Sequence, residues 1–306
     1  MIVVFGSLNV DLIVPVERLP HPGETVLGPG YAFAAGGKGA NQALAAARAG
    51  AKTAMIGRVG GDQLTGIALG DLKAAGVDLA HLVTDERPTG LAAICVDSRG
   101  ENIIMVASGA NLGAKESQVP DALLGKDSVV MLQMEVPLEE NWKLVKRAKA
   151  RGARVMLNAA PAAPVPSEIL PMLDWLVVNE REALLVAEAR GFRGGDPRQA
   201  AAEIAASGKT TVIVTLGGDG AVAYGDGNAL TAGVLPITPI DTVAAGDAFV
   251  GGFAAEIDRG GDLAAALAYG SVAGGLACLC PGAQPALPMK VAIDAALKNL
   301  PPIKVG

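Results

Sequence analysis

The chain has 306 residues, enough for one large α/β unit or two domains with a sizeable core. Charged residues make up 18% and the formal net charge is -6, which excludes a basic surface for a nucleic-acid backbone or an acidic membrane. With only two histidines, His21 and His81, acid/base work falls to Asp or Glu, and the three cysteines, Cys95, Cys278 and Cys280, read as reduced, mostly buried thiols of a cytoplasmic protein.

The N-terminus has no basic region and no room for an apolar signal core, so residues 2–5 read as a first strand. Asn9 and Asp11 follow it on one side of an extended chain, an arrangement that suits vicinal hydroxyls or simply makes a turn. Residues 13–33 and 89–108 read as hairpin pairs, broken by Pro22-Gly23 and Ser98-Arg99-Gly100, with no helices to cover them. They are expected to form a flap, the lid strands lying within about 11–35 and 89–108. Its apolar residues Leu91, Ile94, Ile103 and Met105 would want a partner subunit, which predicts a homodimer through the lid.

Gly36-Gly37-Lys38-Gly39-Ala40-Asn41 opens a helix over 38–49. It is not a phosphate-binding P-loop, because Gly39 follows Lys38 where Ser or Thr should stand. The glycines allow a ligand near the backbone and Asn41 offers a donor and an acceptor, as a sugar hydroxyl needs; a plain helix entry is the alternative. Strands over 53–59, 129–132, 154–157, 175–178 and 210–216 then alternate with helices over 62–75, 138–150, 180–189 and 197–207. This rhythm predicts a doubly wound, mostly parallel α/β sheet flanked by helices in a single domain spanning 1–306, with a small β-sheet lid. No G-x-G-x-x-G occurs, which disfavours a nicotinamide-dependent oxidoreductase.

Polar residues close several strands. Gln133 and Glu135 end one in an alternating pattern that commonly marks a turn. Asn179 and Glu182 place a carboxylate one helical turn past an amide, fit to hold hydrated magnesium beside phosphates or to cap a helix. The turn from Thr215 through Gly217, Gly218 and Gly220 suits a nucleotide contact or a tight hairpin. Asp241-Thr242-Val243-Ala244-Ala245-Gly246-Asp247 leads into a helix over 247–257. Small residues at a helix start form an anion site, and a carboxylate there can take a proton from an attacking hydroxyl; a Gly-rich turn capped by Asp is the plainer reading. The uncharged stretch 263–289 is rich in Gly and Ala and reads as a buried helix, not a membrane span.

In order along the chain, segments 6–11, 22–25, 36–41, 131–135, 179–182, 215–220, 241–249 and 282–285 resemble the PfkB carbohydrate kinases. That resemblance implies transfer of the ATP γ-phosphoryl to the 5-hydroxyl of D-ribose, or to another acceptor such as a nucleoside or fructose; a non-catalytic sugar-binding relative is the rival of another class. It implies that Asn9, Asp11, Gly37, Lys38, Asn41 and Glu135 bind the sugar, that Asp247 is the base and that Ala244, Ala245 and Gly246 form the anion hole. Asn179, Thr215, Gly217, Gly218, Gly220, Gly246 and Ser271 would meet ATP, and Glu182 would organise Mg2+ through water. A monovalent cation, K+, would lie at Asp241, Val243, Ala277, Cys280 and Gly282. The chain departs from the family pattern at Ala286, where a serine commonly adds a hydroxyl to the cation, and at Ser271, Val250 and Ala35.

Overall fold

A computed structural model of the chain describes residues 1–206, 208–225 and 227–306. Strand β1 (Ile2–Phe5) starts the larger sheet, β2 (Asn9–Pro15) and β3 (Ala32–Gly36) leave it, and α1 (Lys38–Arg48) returns the chain to β4 (Thr53–Ile56). A side ribbon follows, β5 (Arg58–Gly60), α2 (Leu64–Ala74) and β6 (Val83–Asp85), and then a hairpin of β7 (Gly90–Val96) and β8 (Asn102–Ala107). The second half runs β9 (Val129–Leu132), α3 (Leu138–Ala150), β10 (Arg154–Asn158), β11 (Trp175–Asn179), α4 (Glu180–Glu188), α5 (Pro197–Ala206) and β12 (Thr211–Thr215). It closes with β13 (Ala221–Gly225), β14 (Asn228–Ala232), α6 (Ala245–Asp258), α7 (Leu263–Ala277), α8 (Lys290–Ala296) and β15 (Lys304–Val305).

The larger sheet has the order β15-β14-β13-β12-β11-β10-β9-β1-β4, parallel from β12 to β4 and antiparallel at its β13–β15 edge. Both faces are covered, and the strand period shows it. Val3 and Phe5 enter one core with Leu144 of α3 and Val186 of α4, while Ile2 and Val4 enter the other with Leu44 of α1 and Phe253 of α6. Between β1 and β9 the chain reverses its direction of travel across the sheet, which opens a crevice at the carboxyl ends of the strands.

The lid is a separate four-stranded sheet, β3-β2-β7-β8, and β2 pairs with β7 in parallel, so the two predicted hairpins join into one surface. The expected strand over 53–59 is two strands in different sheets. Gly57 separates them, because a Cβ there would lie 2.5 Å from the Gly6 carbonyl. The expected helix over 62–75 starts at Leu64, since the Asp62 carboxylate accepts from the Leu64 and Thr89 N–H groups instead of joining the coil. The predicted end of α5 at Ser207 lies outside the described residues. The uncharged 263–289 stretch is α7 followed by turns, and no helix among the described residues is long and apolar enough to cross a membrane. The cysteines are free, but none is fully buried, and Cys280 is exposed on the turn after α7.

Candidate active site

The carboxyl ends of β1 and β9 meet the first residues of the lid in a polar cluster. Asn9 is buried, and its Oδ1 accepts from Asn111 Nδ2 at 2.7 Å. Asn111 is fixed in turn by the backbone of Leu8, whose N–H donates to its Oδ1 at 2.9 Å. Gly90 makes the pair possible, because a Cβ there would collide with Asn9 Oδ1. In the same way Gly36 makes room for Asp11, whose carboxylate would lie 2.5 Å from a Cβ at that position. Gly37, at φ 90, occupies the left-handed region and would press a Cβ to 2.8 Å from Asn9 N, so both its conformation and its space require glycine. Glu135 Oε2 accepts from Ser7 Oγ at 2.5 Å and from the Lys38 N–H at 3.0 Å.

Asp247 completes this cluster from the opposite helix. It is the third residue of α6, which begins at Ala245, two residues earlier than the sequence pattern placed the helix start, with Ala244 in the cap position at φ 58. Ala244 is the single non-glycine residue at positive φ among the described residues, a conformation that costs an L-residue about 1 kcal/mol. Asp247 is buried; Oδ2 accepts from Asn41 Nδ2 at 3.0 Å and Oδ1 from Gln42 Nε2 at 2.9 Å. The Asp247 charge is the main reason the Lys38 ammonium is held above its usual range, against the opposing effect of burial and with help from Glu135 and Glu182. Burial, followed by repulsion from Glu135 and Asp247, pushes the Asp11 carboxyl up to about 6. Asn9, Asp11, Gly37, Lys38, Asn41, Glu135 and Asp247 thus belong to one neighbourhood, rich in acceptors around a single cation. Such a surface matches a polyhydroxylated ligand.

Beyond the first turn of α6 lies a cavity of about 740 Å³. Asn179, Thr215, Gly217, Gly218, Gly220, Gly246 and Ser271 all line it, together with Ala245. A Cβ at Gly217, Gly218 or Gly246 would meet nothing within 4 Å, so these glycines leave volume for a ligand. Ser271 Oγ is buried without a partner. Both features fit a nucleotide. Within the expected anion turn the Ala245 N–H already donates to the Thr242 carbonyl at 3.2 Å, which leaves the first-turn amides of Gly246 and Asp247 without acceptors in the helix.

Glu182 satisfies the capping reading: it exchanges hydrogen bonds of 2.9 Å with Asn179 at the start of α4. It also faces the cluster, its carboxyl raised by burial and by the Asp247 charge, while Lys38 opposes the shift. No three His, Cys, Asp or Glu side chains among the described residues come together as a metal cage. A magnesium ion here would therefore draw its ligands mainly from phosphates and water. On the far side of the cavity, Asp241 Oδ1 accepts from the Val243 N–H at 3.0 Å and Oδ2 from the Gly282 N–H at 2.8 Å. These bonds tie the turn before α6 to the loop after α7, which holds Cys280; the carbonyl of Ala277, the last residue of α7, accepts the Cys280 N–H at 3.5 Å. Ala286, buried in the turn that follows, brings no hydroxyl.

Residues 1–290 match the pfkB family carbohydrate kinase profile. The chain belongs to this family. The match makes it an ATP-dependent carbohydrate kinase. A ribokinase of Staphylococcus aureus is 36% identical over 294 residues, covering 94% of this chain and 96% of that protein. The crystal structure of a Thermotoga maritima ribokinase superposes with a TM-score of 0.91 at 30% identity, covering 97% of this chain and 99% of that one. An Arabidopsis thaliana ribokinase complexed with ribose and ATP superposes with a TM-score of 0.87 at 32% identity, covering 97% and 98%.

Four polar residues in or beside the polar cluster were not singled out by sequence reasoning: Ser7, Gln42, Asn111 and Asn158. Ser7 lies inside the segment 6–11, and Gln42 directly follows the segment 36–41. Asn158 ends β10 as Asn179 ends β11, a parallel that was there to be read. Asn111 follows the lid hairpin and carries no signal of its own, since its partners Leu8 and Asn9 are about a hundred positions away. A second cavity of about 420 Å³ near Arg190, Phe192 and Arg193 contains none of the predicted residues.

Proposed function

We propose that the chain transfers the γ-phosphoryl of ATP to the 5-hydroxyl of D-ribose with Asp247 as the general base. The observation that carries this reading is the placement of Asp247. It is buried on the first turn of α6, bonded to Asn41 on the polar side, while its neighbours Ala245 and Gly246 line the large cavity. An acceptor hydroxyl held by Asn9, Asp11, Lys38, Asn41 and Glu135 gives its proton to Asp247 as its oxygen attacks the γ-phosphorus. The bond to the β-phosphate oxygen breaks, and negative charge on the transferring group meets the free amides of the turn. Lys38, half-buried among carboxylates, offsets their charge so that a neutral sugar and an anionic nucleotide can share the site. Glu182 would hold Mg2+ through water, and the ion would supply positive charge to the ATP phosphates.

Two further parts belong to this reading. The Asp241 turn and residues 277–282, whose approach is fixed by the Gly282 N–H bond to Asp241, would hold potassium. A homodimer forms through the lid, supported by the exposed apolar residues Ile103, Ile104, Met105 and Val106 along β8 and Phe33 on β3. Light scattering at micromolar protein checks the dimer; a monomeric mass removes it.

The deciding measurement is ADP release from MgATP with D-ribose, fructose and a few ribonucleosides, each with potassium and with a large inert cation in its place. Strong preference for ribose supports the proposal. Turnover with another acceptor alone keeps the chemistry and replaces the substrate, because a polar pocket rejects a ligand that leaves its groups unpaired.

A further inference from the structure

The Gln42 amide is wholly buried and makes three hydrogen bonds. Its Nε2 donates to Asp247 Oδ1 and to Asn158 Oδ1, each at 2.9 Å, and its Oε1 accepts from Gln133 Nε2 at 2.7 Å. The direction of these bonds is dictated from the sheet. The Val177 carbonyl of β11 can only accept, so Asn158 turns its Nδ2 to it at 3.1 Å and leaves Oδ1 facing Gln42. Gln42 must answer with its NH2 group, whose second hydrogen then falls on Asp247. Turned the other way, its Oε1 would oppose two acceptors in a buried site, an arrangement that loses both bonds and leaves charge unpartnered. A backbone carbonyl thus sets the polarity of an amide chain that ends on one oxygen of the base.

The reach of this short side chain depends on close helix packing. A Cβ at Gly251 of α6 would collide with Ala45 of α1, so the two helices approach glycine to alanine and bring Gln42 against Asp247. Asn41, the residue before Gln42, holds the other oxygen, and its own Oδ1 is buried without a partner. The two oxygens of Asp247 are therefore unlike: Oδ1 faces an interior network with no outlet, and Oδ2 faces the polar cluster.

We propose that Gln42 is a positioning residue for phosphoryl transfer: it pins Oδ1 of Asp247 so that Oδ2 is the oxygen presented to the acceptor hydroxyl. It does not touch the reacting atoms. Its donated bond favours the ionised carboxylate and fixes its rotation, so its loss affects the proton-accepting step more than the binding of sugar. This inference rests on the reading of Asp247 as the base.

The test compares Gln42→Leu, which removes the amide at similar volume, and Gln42→Glu, which keeps an acceptor for Gln133 but has no hydrogen for Asp247 unless protonated. The readouts are kcat, sugar KM and the acid limb of the kcat profile. The charged groups acting on Asp247, namely Lys38 on α1, Asp11 on β2 and Glu182 on α4, are unchanged in both variants. Gln42→Leu should lower kcat about 10- to 100-fold, the rate equivalent of one hydrogen bond to a charged group, with sugar KM altered by less than about threefold. The acid limb should move up by about one pH unit, and further for Gln42→Glu, where two carboxyls share a proton. Unchanged kcat and an unchanged limb in folded Gln42→Glu overturn the proposal, even if Gln42→Leu does not fold. So does a rise in sugar KM with kcat preserved. Asp247→Asn separates the two ideas: near wild-type turnover in that variant sinks the base itself, whereas an inactive Asp247→Asn beside unaffected Gln42 variants sinks only the positioning role.

Discussion

The two halves of the site are built by opposite means. Around Asn9, Asp11, Lys38, Asn41, Glu135 and Asp247 the neighbourhood is made of polar side chains, of which Asn9, Asn41, Glu135 and Asp247 are already held by hydrogen bonds, whereas around Thr215, Gly217, Gly218 and Gly246 the cavity is lined largely by backbone and by glycines. On the proposed function the first half would read hydroxyl positions, and the second would admit a phosphate chain by shape and by N–H groups. The first turn of α6 belongs to both, and the proposed chemistry lies there. If this contrast is right, changes in the two halves should fail differently. The largest effect is expected where they join: Asp247→Asn should lower kcat by about two to four orders of magnitude, the range for losing a general base, with sugar binding by calorimetry nearly intact. Equal losses in binding and turnover would instead make Asp247 a sugar ligand alone.

The backbone half should fail by exclusion. Gly246→Val places a branched side chain in space that is empty now, and keeps every N–H. ATP KM should rise about 10- to 100-fold while sugar affinity stays within about twofold, since the volume lost is the nucleotide's. An increase in sugar KM of similar size would show that the halves are not separable.

The polar half should fail by titration. Asp11 has its carboxyl pushed up to about 6 from 3.8, so between roughly pH 4 and 6 the folded protein binds more protons than the unfolded chain. The sign follows: stability falls as pH rises through this window, and the penalty is complete above it. Asp11→Asn should therefore stabilise the unliganded protein at pH 8 by about 1–2 kcal/mol, read as a higher Tm, and leave it little changed at pH 4. The same substitution should raise sugar KM about tenfold, because an amide accepts fewer hydroxyl protons than a carboxylate. In the parent protein, sugar KM should climb below about pH 6 as Asp11 is protonated. A variant neither more stable nor weaker in binding would contradict the view that this half stores strain to hold its ligand.

The same contrast governs what could be read without coordinates. Polar side chains within or just beside strands, such as Asn9, Asp11, Glu135 and Asn179, are visible one at a time, and the strand and helix periods of the larger sheet were plain because both of its faces are apolar. Glycines are less telling, since the sequence does not say what a missing Cβ makes room for. Gly36 clears Asp11 and Gly90 clears Asn9, relations that link segments across two sheets. The division of 53–59 into β4 and β5 was hidden for that reason, as was the start of α6 at Ala245, which follows Ala244 at a glycine's φ. The amide chain through Gln42 was hidden more deeply. Its members lie on α1, after β9 and at the end of β10, and only the folded sheet brings them to one carboxylate.

The smallest effect is expected at the edge of the backbone half, where one hydroxyl is missing. Each oxygen of the Asp241 carboxylate already accepts one amide, from Val243 and from Gly282, which leaves fewer of its lone pairs for a cation. A potassium ion held there relies on neutral oxygens, and Ala286 contributes none from its buried turn. Ala286→Ser adds one. A neutral hydrogen-bond-strength contact is worth about 0.5 kcal/mol net, so the potassium concentration giving half-maximal turnover should fall about two- to threefold. Turnover at saturating potassium should not change, because the first turn of α6 is already in place. If instead the variant responds to potassium as the parent does, the hydroxyl does not reach the ion and the cation lies away from Ala286. If neither protein responds, the tie from Asp241 to Gly282 fixes the turn before α6 by itself, and the anion-binding half needs no ion to hold its shape.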